Sequence, residues 1–309
     1  MNYLSNKNIL ITGSTGFIGS SLVNALSNSC NKLILLSRTI NPEIPHKQIK
    51  CDFLTDELKI DFFQNVDVVF HLAGCAHDTR ISKSENYYRK INVEASLNIA
   101  QLAIKCNVSK FVYLSSVKAG PKINQNKFFS QGDIKAKDIY GQTKYEAEEA
   151  LMQIALMCNM SLIILRPALV YGPEVKGNLK FMLKGVLQGW FPPLPEVHKY
   201  RSMVHIDDLI RALMFIVEDN RADGNTYVIT DEHKYSSREI YETLCYACNK
   251  KPFNWSVPKF VFELIGYLHP VIRSKMRKLF DDEIYSSVKI KELGFNPIKS
   301  LKDINETIF

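Results

Sequence analysis

The chain has 309 residues, of which 46% are hydrophobic and 23% are charged, and its formal net charge is +7. This composition is typical of a globular protein that is long enough to bury a large core in one or two domains. The basic residues are scattered and do not alternate with aromatic residues in a stripe, so we expect no nucleic-acid partner. No apolar run is long enough to cross a bilayer, and we expect no membrane partner and no signal peptide.

The seven cysteines are dispersed along the chain, and their odd number indicates reduced thiols and a cytoplasmic location. Cys245 and Cys248 have the spacing of a metal or redox pair, but no second pair or nearby histidine completes a zinc site. Because both lie in an amphipathic helical pattern, we interpret them as packing residues. The sequence therefore predicts no metal site.

Short runs of Val, Ile and Leu alternate with longer helical patterns through the first half of the chain. Uninterrupted apolar strands are typical of a parallel sheet that is covered on both faces. The predicted strands are 8–12, 32–37, 48–51, 66–71, 110–114 and 161–166, and the predicted helices are 17–27, 84–106 and 139–157. This alternation predicts the α/β class and a doubly wound parallel Rossmann sheet with right-handed crossovers.

After residue 167 the alternation breaks, and Gly172, Gly177, Gly189 and the prolines of 192–195 predict loops. A helix at 206–217 and a strand at 226–230 return to the sheet, and further helices are predicted at 237–248, 259–268 and 284–293. We predict a Rossmann domain over 1–168 plus 202–232 and a smaller, discontinuous α/β substrate domain over 169–201 plus 233–309. The cleft between two such domains is the expected binding site.

A glycine-spaced turn follows the first strand and leads directly into a helix. Gly13 allows the sharp turn, Gly16 allows a diphosphate to approach the backbone, and Gly19 allows the helix to pack on the sheet. The amides at the start of the helix then face the anion. We therefore predict dinucleotide binding, the alternative being a purely structural turn, by a set of residues in this turn: Gly13, Thr15, Gly16, Phe17, Ile18 and Gly19.

The end of the second strand bears on the choice of cofactor. An acid there would bind the adenosine ribose, but the chain has Ser37 and Arg38, which can hold a 2′-phosphate. We therefore favour NADP(H) over NAD(H), and an ordinary surface arginine is the alternative for Arg38. Asp52 is predicted to bind the adenine amino group and Phe53 to cover one ring face. The segment Leu72, Ala73 and Gly74 ends the fourth strand and leaves room for the cofactor.

Tyr140 and Lys144 are four residues apart, so they share one face of a helix. We expect the ammonium, a cationic nicotinamide and the helix start behind Asp138 to favour the phenolate of Tyr140. Tyr140 can then exchange a proton with a sugar hydroxyl. Ser115 and Ser116 end the fifth strand, where a hydroxyl can hold the substrate oxygen. Each feature is weak by itself, but together with the glycine turn they are specific.

In these motifs the chain resembles the extended short-chain dehydrogenase/reductases, in their nucleotide-sugar epimerase/dehydratase group, over nearly its whole length. The resemblance implies a catalytic triad of Ser116, Tyr140 and Lys144, with Ser115, Tyr140 and Lys144 also at the cofactor. It implies a structural role for Asn92 and, through the segment 166–173, a position near the nicotinamide for Pro167. It also implies a grip on the nucleotide from three residues in family signatures: Asn178, Leu179 and Arg201. The segment 291–297 matches the C-terminal signature.

The resemblance also limits the reaction. Dehydratases of the group carry Thr-Asp-Glu where this chain has Ser116, Val117 and Lys118, so we set dehydration aside. The overall pattern is closer to bacterial surface-polysaccharide enzymes that act at C4 of UDP-sugars. We predict an NAD(P)-dependent enzyme that reduces a 4-keto-6-deoxy-N-acetylhexosamine linked to UDP, with 4-epimerisation of UDP-glucose or UDP-N-acetylglucosamine as the alternative.

Two other functions are less favoured: reduction of non-sugar carbonyls and non-catalytic sensing of the cofactor. A homodimer formed through the helices 84–106 and 139–157 is expected for such an enzyme.

Overall fold

The computed structural model describes residues 3–76, 84–120, 138–268 and 280–304. The chain divides into two compact units. The first comprises Met1–Pro167, Leu209–Ile229 and Ser287–Asn296, and the second comprises Ala168–Asp208, Thr230–Ser286 and Pro297–Phe309. Residues 202–208 and 230–232, which the sequence pattern assigns to the first domain, lie in the second unit. The assignment of the cofactor to one domain and of the sugar nucleotide to the other stays a prediction.

The described part of the first unit contains a seven-stranded sheet in the order β3-β2-β1-β4-β5-β6-β9, and all its neighbouring strands are parallel. Its strands are β1 (Asn8–Thr12), β2 (Lys32–Ser37), β3 (Lys47–Lys50), β4 (Val68–His71), β5 (Lys110–Leu114), β6 (Ser161–Pro167) and β9 (Thr226–Ile229). The strand order reverses between β1 and β4, where ligands bind in doubly wound folds. The predicted Rossmann sheet is confirmed.

Helices cover this sheet. They are α1 (Phe17–Leu26), α2 (Glu85–Arg89), a π-helical turn (Lys90–Glu94), α3 (Ala95–Lys105), α4 (Ile139–Leu156), α6 (Ile206–Glu218) and α9 (Val288–Glu292). Leu10, Val69 and Phe111 of the central strands pack with Ile99 of α3 and Ala147 of α4 in one buried core. Burial on both sides of the strands explains why their sequences read as continuous apolar runs.

The single helix predicted over 84–106 is instead interrupted by the π-helical turn. Asn92 lies within this turn, is fully buried, and is held by backbone groups outside the helix. Such turns often occur at functional sites, because the extra residue redirects a side chain.

The second unit contains a three-stranded sheet in the order β10-β8-β7, formed by β7 (Leu169–Tyr171), β8 (Tyr200–His205) and β10 (Lys234–Ser236). Its helices include α5 (Gly177–Gln188), α7 (Ser237–Ala247) and α8 (Lys259–Leu268). Leu183, Leu194, Met203, Tyr241 and Leu244 lie in one buried cluster that joins these elements.

Two predictions for this region were wrong. Gly177 does not mark a loop, because it is the first residue of α5, whereas Gly189 follows the helix directly as its C-cap; their φ values are +70° and +77°, which glycine adopts without strain. The helix predicted over 284–293 shortens to Val288–Glu292. The preceding residues pair with β8 instead, since the amide of Glu283 donates to the Tyr200 carbonyl at 2.9 Å.

The cysteine pair packs against this core, Cys245 buried within it and Cys248 partly buried beside it. Within the described residues, no group of His, Cys, Asp and Glu has the arrangement of a metal site. Of the helices in the same ranges, none combines the length and the apolar character needed to cross a bilayer.

Candidate active site

The glycine turn connects β1 to α1 at the point where the strand order reverses. Gly13 has φ +72°, and a Cβ there would lie 2.8 Å from the backbone of Ala73. A Cβ on Gly19 would overlap the carbonyl oxygen of Gly13. Both glycines are therefore required by close backbone approach. Gly16 occupies the N-cap of α1, where no side chain caps the helix, and the first-turn amides are available to an anion.

The remaining predicted cofactor residues of this turn differ in exposure. Thr15 is exposed, while Phe17 and Ile18 are half-buried. At the end of β2, Arg38 is exposed, and the Ser37 hydroxyl donates to the Thr39 carbonyl at 2.6 Å. The structure thus leaves Arg38 accessible but already uses the Ser37 hydroxyl proton. Their proposed role toward a 2′-phosphate stays a prediction.

Asp52 and Phe53 follow β3. One carboxylate oxygen of Asp52 accepts the amide of Leu54 at 3.0 Å, which forms a local turn. The Phe53 ring is partly buried against the core of the first unit. Their predicted contacts with adenine remain untested.

The residues after β4 lie against α4 and the π-helical turn. A Cβ on Gly74 would lie 3.2 Å from Oδ1 of Asn92 and 3.3 Å from Nζ of Lys144. Asn92 accepts the amide of Cys75 at 2.7 Å and donates to the hydroxyl of Thr143 at 3.0 Å. The structural role predicted for Asn92 has a physical basis here, since its amide ties the end of β4 to α4. Leu72 and Ala73, which precede Gly74, are half-buried.

Tyr140 lies in the first turn of α4, and its side chain forms a hydrogen bond with Ser116. Asp138 is the N-cap of this helix and accepts the amide of Gly141 at 2.9 Å. Ser116 also accepts the amide of Lys118 at 3.2 Å, which fixes its rotamer. The structure therefore brings together the predicted hydroxyl and phenol.

Lys144 is 3% exposed. Its Nζ donates to the Leu114 carbonyl at 2.7 Å and to the Tyr113 hydroxyl at 3.1 Å. Burial lowers the pKa of Lys144 to about 7, although the charge of Glu148 opposes this change. Lys144 and Tyr140 share a helix, as predicted, while these two bonds direct the ammonium toward β5.

The phenolate expected for Tyr140 stays a prediction, because it includes the charge of a bound nicotinamide, but the protein's own groups oppose it. Burial raises the pKa of Tyr140 to about 12; the Ser116 hydrogen bond lowers it only in part, and the negative charge of Asp138 raises it further. The prediction assigned a favourable effect to the helix start but did not include the carboxylate of its own cap.

One turn beyond Lys144, the carboxylate of Glu148 is fully buried and accepts the Nε of Arg166 at 2.9 and 3.1 Å from its two oxygens. A second guanidinium nitrogen, Nη2, also donates to it. A Cβ on Gly120 would overlap the same guanidinium. Sequence reasoning missed Glu148, although its spacing of four from Lys144 places it on the same helix face.

Ser115 and Pro167 end neighbouring strands. Both are buried, and the amide of Ser115 donates to the Leu165 carbonyl at 2.8 Å. The Ser115 hydroxyl has no hydrogen-bond partner among the residues that the structure describes, which is unusual for a buried polar group. An unsatisfied hydroxyl of this kind fits a site that a ligand completes.

Of the predicted substrate residues, Ser116 lies in the first unit, and Asn178, Leu179 and Arg201 lie in the second. Asn178 is half-buried in the first turn of α5, whereas the side chain of Leu179 lies in the core of the unit, so only its backbone is available to a ligand. Arg201 on β8 is half-buried, with Nη2 3.8 Å from Glu283 Oε2. The carboxylate of Glu283 therefore competes with the predicted diphosphate for the guanidinium of Arg201.

Comparisons with known proteins identify the family of this chain. The model of the NAD dependent epimerase/dehydratase family matches residues 9–230. A Vibrio cholerae protein named UDP-glucose 4-epimerase is 30% identical over 275 residues, which cover 85% of this chain and 82% of the relative. An Escherichia coli O157:H7 protein named N-acetyl-alpha-D-glucosaminyl-diphospho-ditrans,octacis-undecaprenol 4-epimerase is 24% identical over 93% of this chain and 85% of its own.

Solved structures share the fold. MoeE5 in complex with UDP-glucose and NAD superposes with a TM-score of 0.76 at 22% identity, covering 96% of this chain and 95% of its own. A UDP-N-acetylglucosamine 4-epimerase from Bacillus cereus gives 0.77 at 21% identity, over 98% and 95%. Since the family model covers more than half of the sequence, the chain belongs to the NAD dependent epimerase/dehydratase family.

Proposed function

We propose that this chain is an NAD(P)-dependent oxidoreductase that acts at C4 of a UDP-sugar. The observation that carries this proposal is the arrangement at the end of β5: the Ser116 hydroxyl bonds to the Tyr140 phenol, and Lys144 is buried on the same helix. The named relatives are 4-epimerases, which require chemistry at this carbon.

The nicotinamide cofactor fits the first unit. The turn at Gly13 and Gly19 excludes side chains, and the α1 N-terminus offers amides to a diphosphate. The buried Ser115 hydroxyl, which has no partner in the described part of the chain, can bond to the cofactor. When bound, the cofactor supplies the hydride acceptor or donor. We assign its binding to the residues named in the glycine turn, to Leu72, Ala73 and Gly74, and to Lys144.

The chain's own residues manage the proton. With a pKa of about 12, Tyr140 is protonated at neutral pH, so it is ready to donate to a developing alkoxide at C4. Ser116 holds the oxygen in reach. In the reverse direction the phenolate of Tyr140 accepts the C4 hydroxyl proton, and the positive charge of a bound oxidised nicotinamide would favour that phenolate.

We assign the nucleotide to the second unit, with Asn178 and the backbone of Leu179 at the start of α5 and with Arg201 on the diphosphate. Because Glu283 lies beside Arg201, a diphosphate has to replace a weak ion pair whose closest atoms are 3.8 Å apart. A fork of guanidinium donors suits that exchange.

Two finer reactions each have one supporting observation. The relative with 30% identity is named UDP-glucose 4-epimerase, which favours 4-epimerisation. The exposed Arg38 and the lack of an acid at the end of β2 favour NADPH, a dissociable reductant, and hence 4-keto reduction. The family description names NAD, so the choice between NAD(H) and NADP(H) is itself part of the experiment.

Purified protein is incubated with UDP-glucose, with UDP-N-acetylglucosamine and with a UDP-linked 4-keto-6-deoxy sugar, each with NAD(H) and NADP(H). Interconversion without net cofactor change supports epimerisation, whereas loss of NADPH absorbance with the keto sugar supports reduction. Turnover of a non-sugar carbonyl alone would contradict the proposal.

Tyr140→Phe is the decisive variant. Removing one phenolic hydroxyl eliminates the proton donor, and kcat is expected to fall by about 10²- to 10⁴-fold. Tyr145→Phe is the matched control, since Tyr145 lies on the same helix with its hydroxyl 2.6 Å from Glu149. Equal turnover in the two variants would favour a non-catalytic cofactor sensor.

We also propose a homodimer formed through the helical segments 84–106 and 139–157. Sedimentation of the native protein tests it.

A further inference from the structure

The buried ammonium of Lys144 lies at one end of a chain of side-chain hydrogen bonds inside the first unit. Nζ of Lys144 is 3.1 Å from the hydroxyl of Tyr113 and 4.3 Å from the centre of its ring. Tyr113 is fully buried on β5 and also bonds to Ser96 of α3. Tyr113 and Ser96 are not among the site residues predicted from the sequence.

The donors in this chain can be assigned by counting protons. An ammonium only donates, so Tyr113 accepts from Lys144 and gives its own proton to Ser96. The Ser96 hydroxyl donates to the Asn92 carbonyl at 2.7 Å. Ser96 must therefore accept from the ring of His71, whose Nε2 lies 2.8 Å away.

His71 completes the chain at its other end. With Nε2 donating, Nδ1 is left as an acceptor for the Thr12 hydroxyl, 2.6 Å away. Thr12 in turn accepts the amide of Ala73 at 3.2 Å. Burial lowers the pKa of His71 to about 3, which agrees with the neutral ring that this assignment requires. Each hydrogen bond in the series then has one assigned donor and one assigned acceptor.

We propose that Tyr113 is a positioning residue of the active site: its hydroxyl holds the Lys144 ammonium in place, and Ser96, which is itself bonded to His71, holds that hydroxyl. This inference rests on the proposed function, because it assumes that Lys144 serves catalysis. It gives a role to a tyrosine that would otherwise be interpreted as a buried core residue of β5.

The aromatic ring and the hydroxyl of Tyr113 make separable contributions. Phenylalanine would keep the ring beneath the ammonium but remove the acceptor oxygen. Lys144 would then retain the Leu114 carbonyl as its remaining described acceptor. The titratable groups around Lys144 are Glu148 on α4, whose charge favours the ammonium, His71 on β4, which is neutral, and Tyr113 on β5. Loss of the hydroxyl therefore disfavours the charged form of Lys144.

The test compares Tyr113→Phe with Tyr227→Phe, which makes the same change at another buried tyrosine of the first unit, whose hydroxyl lies 3.5 Å from the Arg221 carbonyl. Protein labelled with ¹³C at lysine Cε is titrated by NMR, and Lys144→Met identifies the Lys144 signal. In Tyr113→Phe the Lys144 midpoint is expected below that of the wild type, and in Tyr227→Phe it is unchanged.

Turnover provides the second measurement. A hydrogen bond to a charged group has the strength to change kcat by about tenfold, so Tyr113→Phe should lower kcat by that factor and leave KM within about twofold. Ser96→Ala removes the partner of the Tyr113 hydroxyl. It should lower the Lys144 midpoint and kcat as well, each by less than Tyr113→Phe does.

An unshifted Lys144 midpoint in Tyr113→Phe would overturn the proposal, whatever happens to kcat. If Tyr113→Phe does not fold, an unshifted midpoint in Ser96→Ala has the same consequence. The titration needs no substrate, so it tests the role of Tyr113 even if the protein turns over no UDP-sugar. Failure of the proposed function would appear in the turnover assays alone.

Discussion

Burial changes the protonation of three side chains around the site in the same sense. The pKa of His71 falls to about 3, that of Lys144 falls to about 7, and that of Tyr140 rises to about 12. Each change favours the uncharged form, as expected when a group leaves water without a full counter-charge. Of these three, Lys144 has a nearby carboxylate, Glu148, that favours its charge. The site therefore reduces its charge before any ligand is bound.

His71 is expected to make the protein sensitive to acid. The unfolded chain binds a proton at this residue below about pH 6.5, while the folded chain does not until about pH 3, so the unfolded state gains stability as the pH falls between these values. The slope from one such group is about 1.4 kcal/mol per pH unit. Urea unfolding between pH 7 and pH 4.5 measures it. In His71→Asn the free energy of unfolding should depend less steeply on pH than in the wild type. Identical slopes in the two proteins would contradict this account.

The buried pair of Arg166 and Glu148 should respond much more strongly to mutation than an exposed pair. Arg166→Met leaves the Glu148 carboxylate buried without its partner, which is expected to cost about 3–5 kcal/mol of unfolding free energy. Arg221→Met removes the cation from the exposed pair with Asp219 and should have little effect. Denaturant titration of both variants tests the contrast; similar losses would show that burial does not govern the pair.

At the scale of elements, the sequence predicted the strands best. The ends of β1, β2 and β5 agree with the prediction to the residue, because a short, continuous apolar run bounded by polar residues is typical of a buried strand. Helix α5 was missed because Gly177 and Gly189 were interpreted as breaks in the chain. In the structure Gly177 is the first residue of the helix, and Gly189 is the residue that follows its last one. The π-helical turn has no pattern in the sequence, since it depends on contacts made by Asn92 across the fold.

The same reason explains which site residues escaped prediction. Tyr140, Lys144 and Ser116 follow a recognisable spacing, whereas Tyr113, Ser96 and His71 look like ordinary residues of buried strands and helices. Their roles depend on which side chains meet after folding. Glu148 is the exception, because its spacing from Lys144 was visible in the sequence.

The packing of α1 on the glycine turn gives a test at this scale. Helix propensity alone predicts that Gly19→Ala stabilises α1 by about 1 kcal/mol. The structure predicts the opposite, because the new Cβ would overlap the carbonyl oxygen of Gly13 and push the helix away from the turn. Both the melting temperature and the affinity for NAD(H) should fall. Asn24→Ala, at an exposed position of the same helix, is the control. A melting temperature above that of the wild type would contradict the close packing.

For the whole molecule, the predicted domains and the two compact units divide the chain at different residues. β7 and β10 have three residues each, too few for an alternating pattern, and both pair with β8 across long stretches of sequence. A prediction from local pattern therefore returns the chain to the first domain at residue 202, before β8 ends. Short strands gain their stability from distant partners, and sequence windows do not contain those partners.

The proposed division of labour between the units leads to the last prediction, which hydrogen exchange measures in the native protein. NAD(H) alone should slow exchange in Phe17–Leu26, and UDP alone should slow exchange in Gly177–Gln188 and Tyr200–His205. A ligand at about one hundred times its Kd stabilises the state that binds it by about 2.7 kcal/mol, enough for a clear change in exchange rate. Arg201→Met should remove most of the UDP effect and leave the NAD(H) effect intact. Protection of the α1 amides by UDP alone would instead place the nucleotide of the sugar at the glycine turn, and the assignment of Asn178 and Arg201 would be wrong.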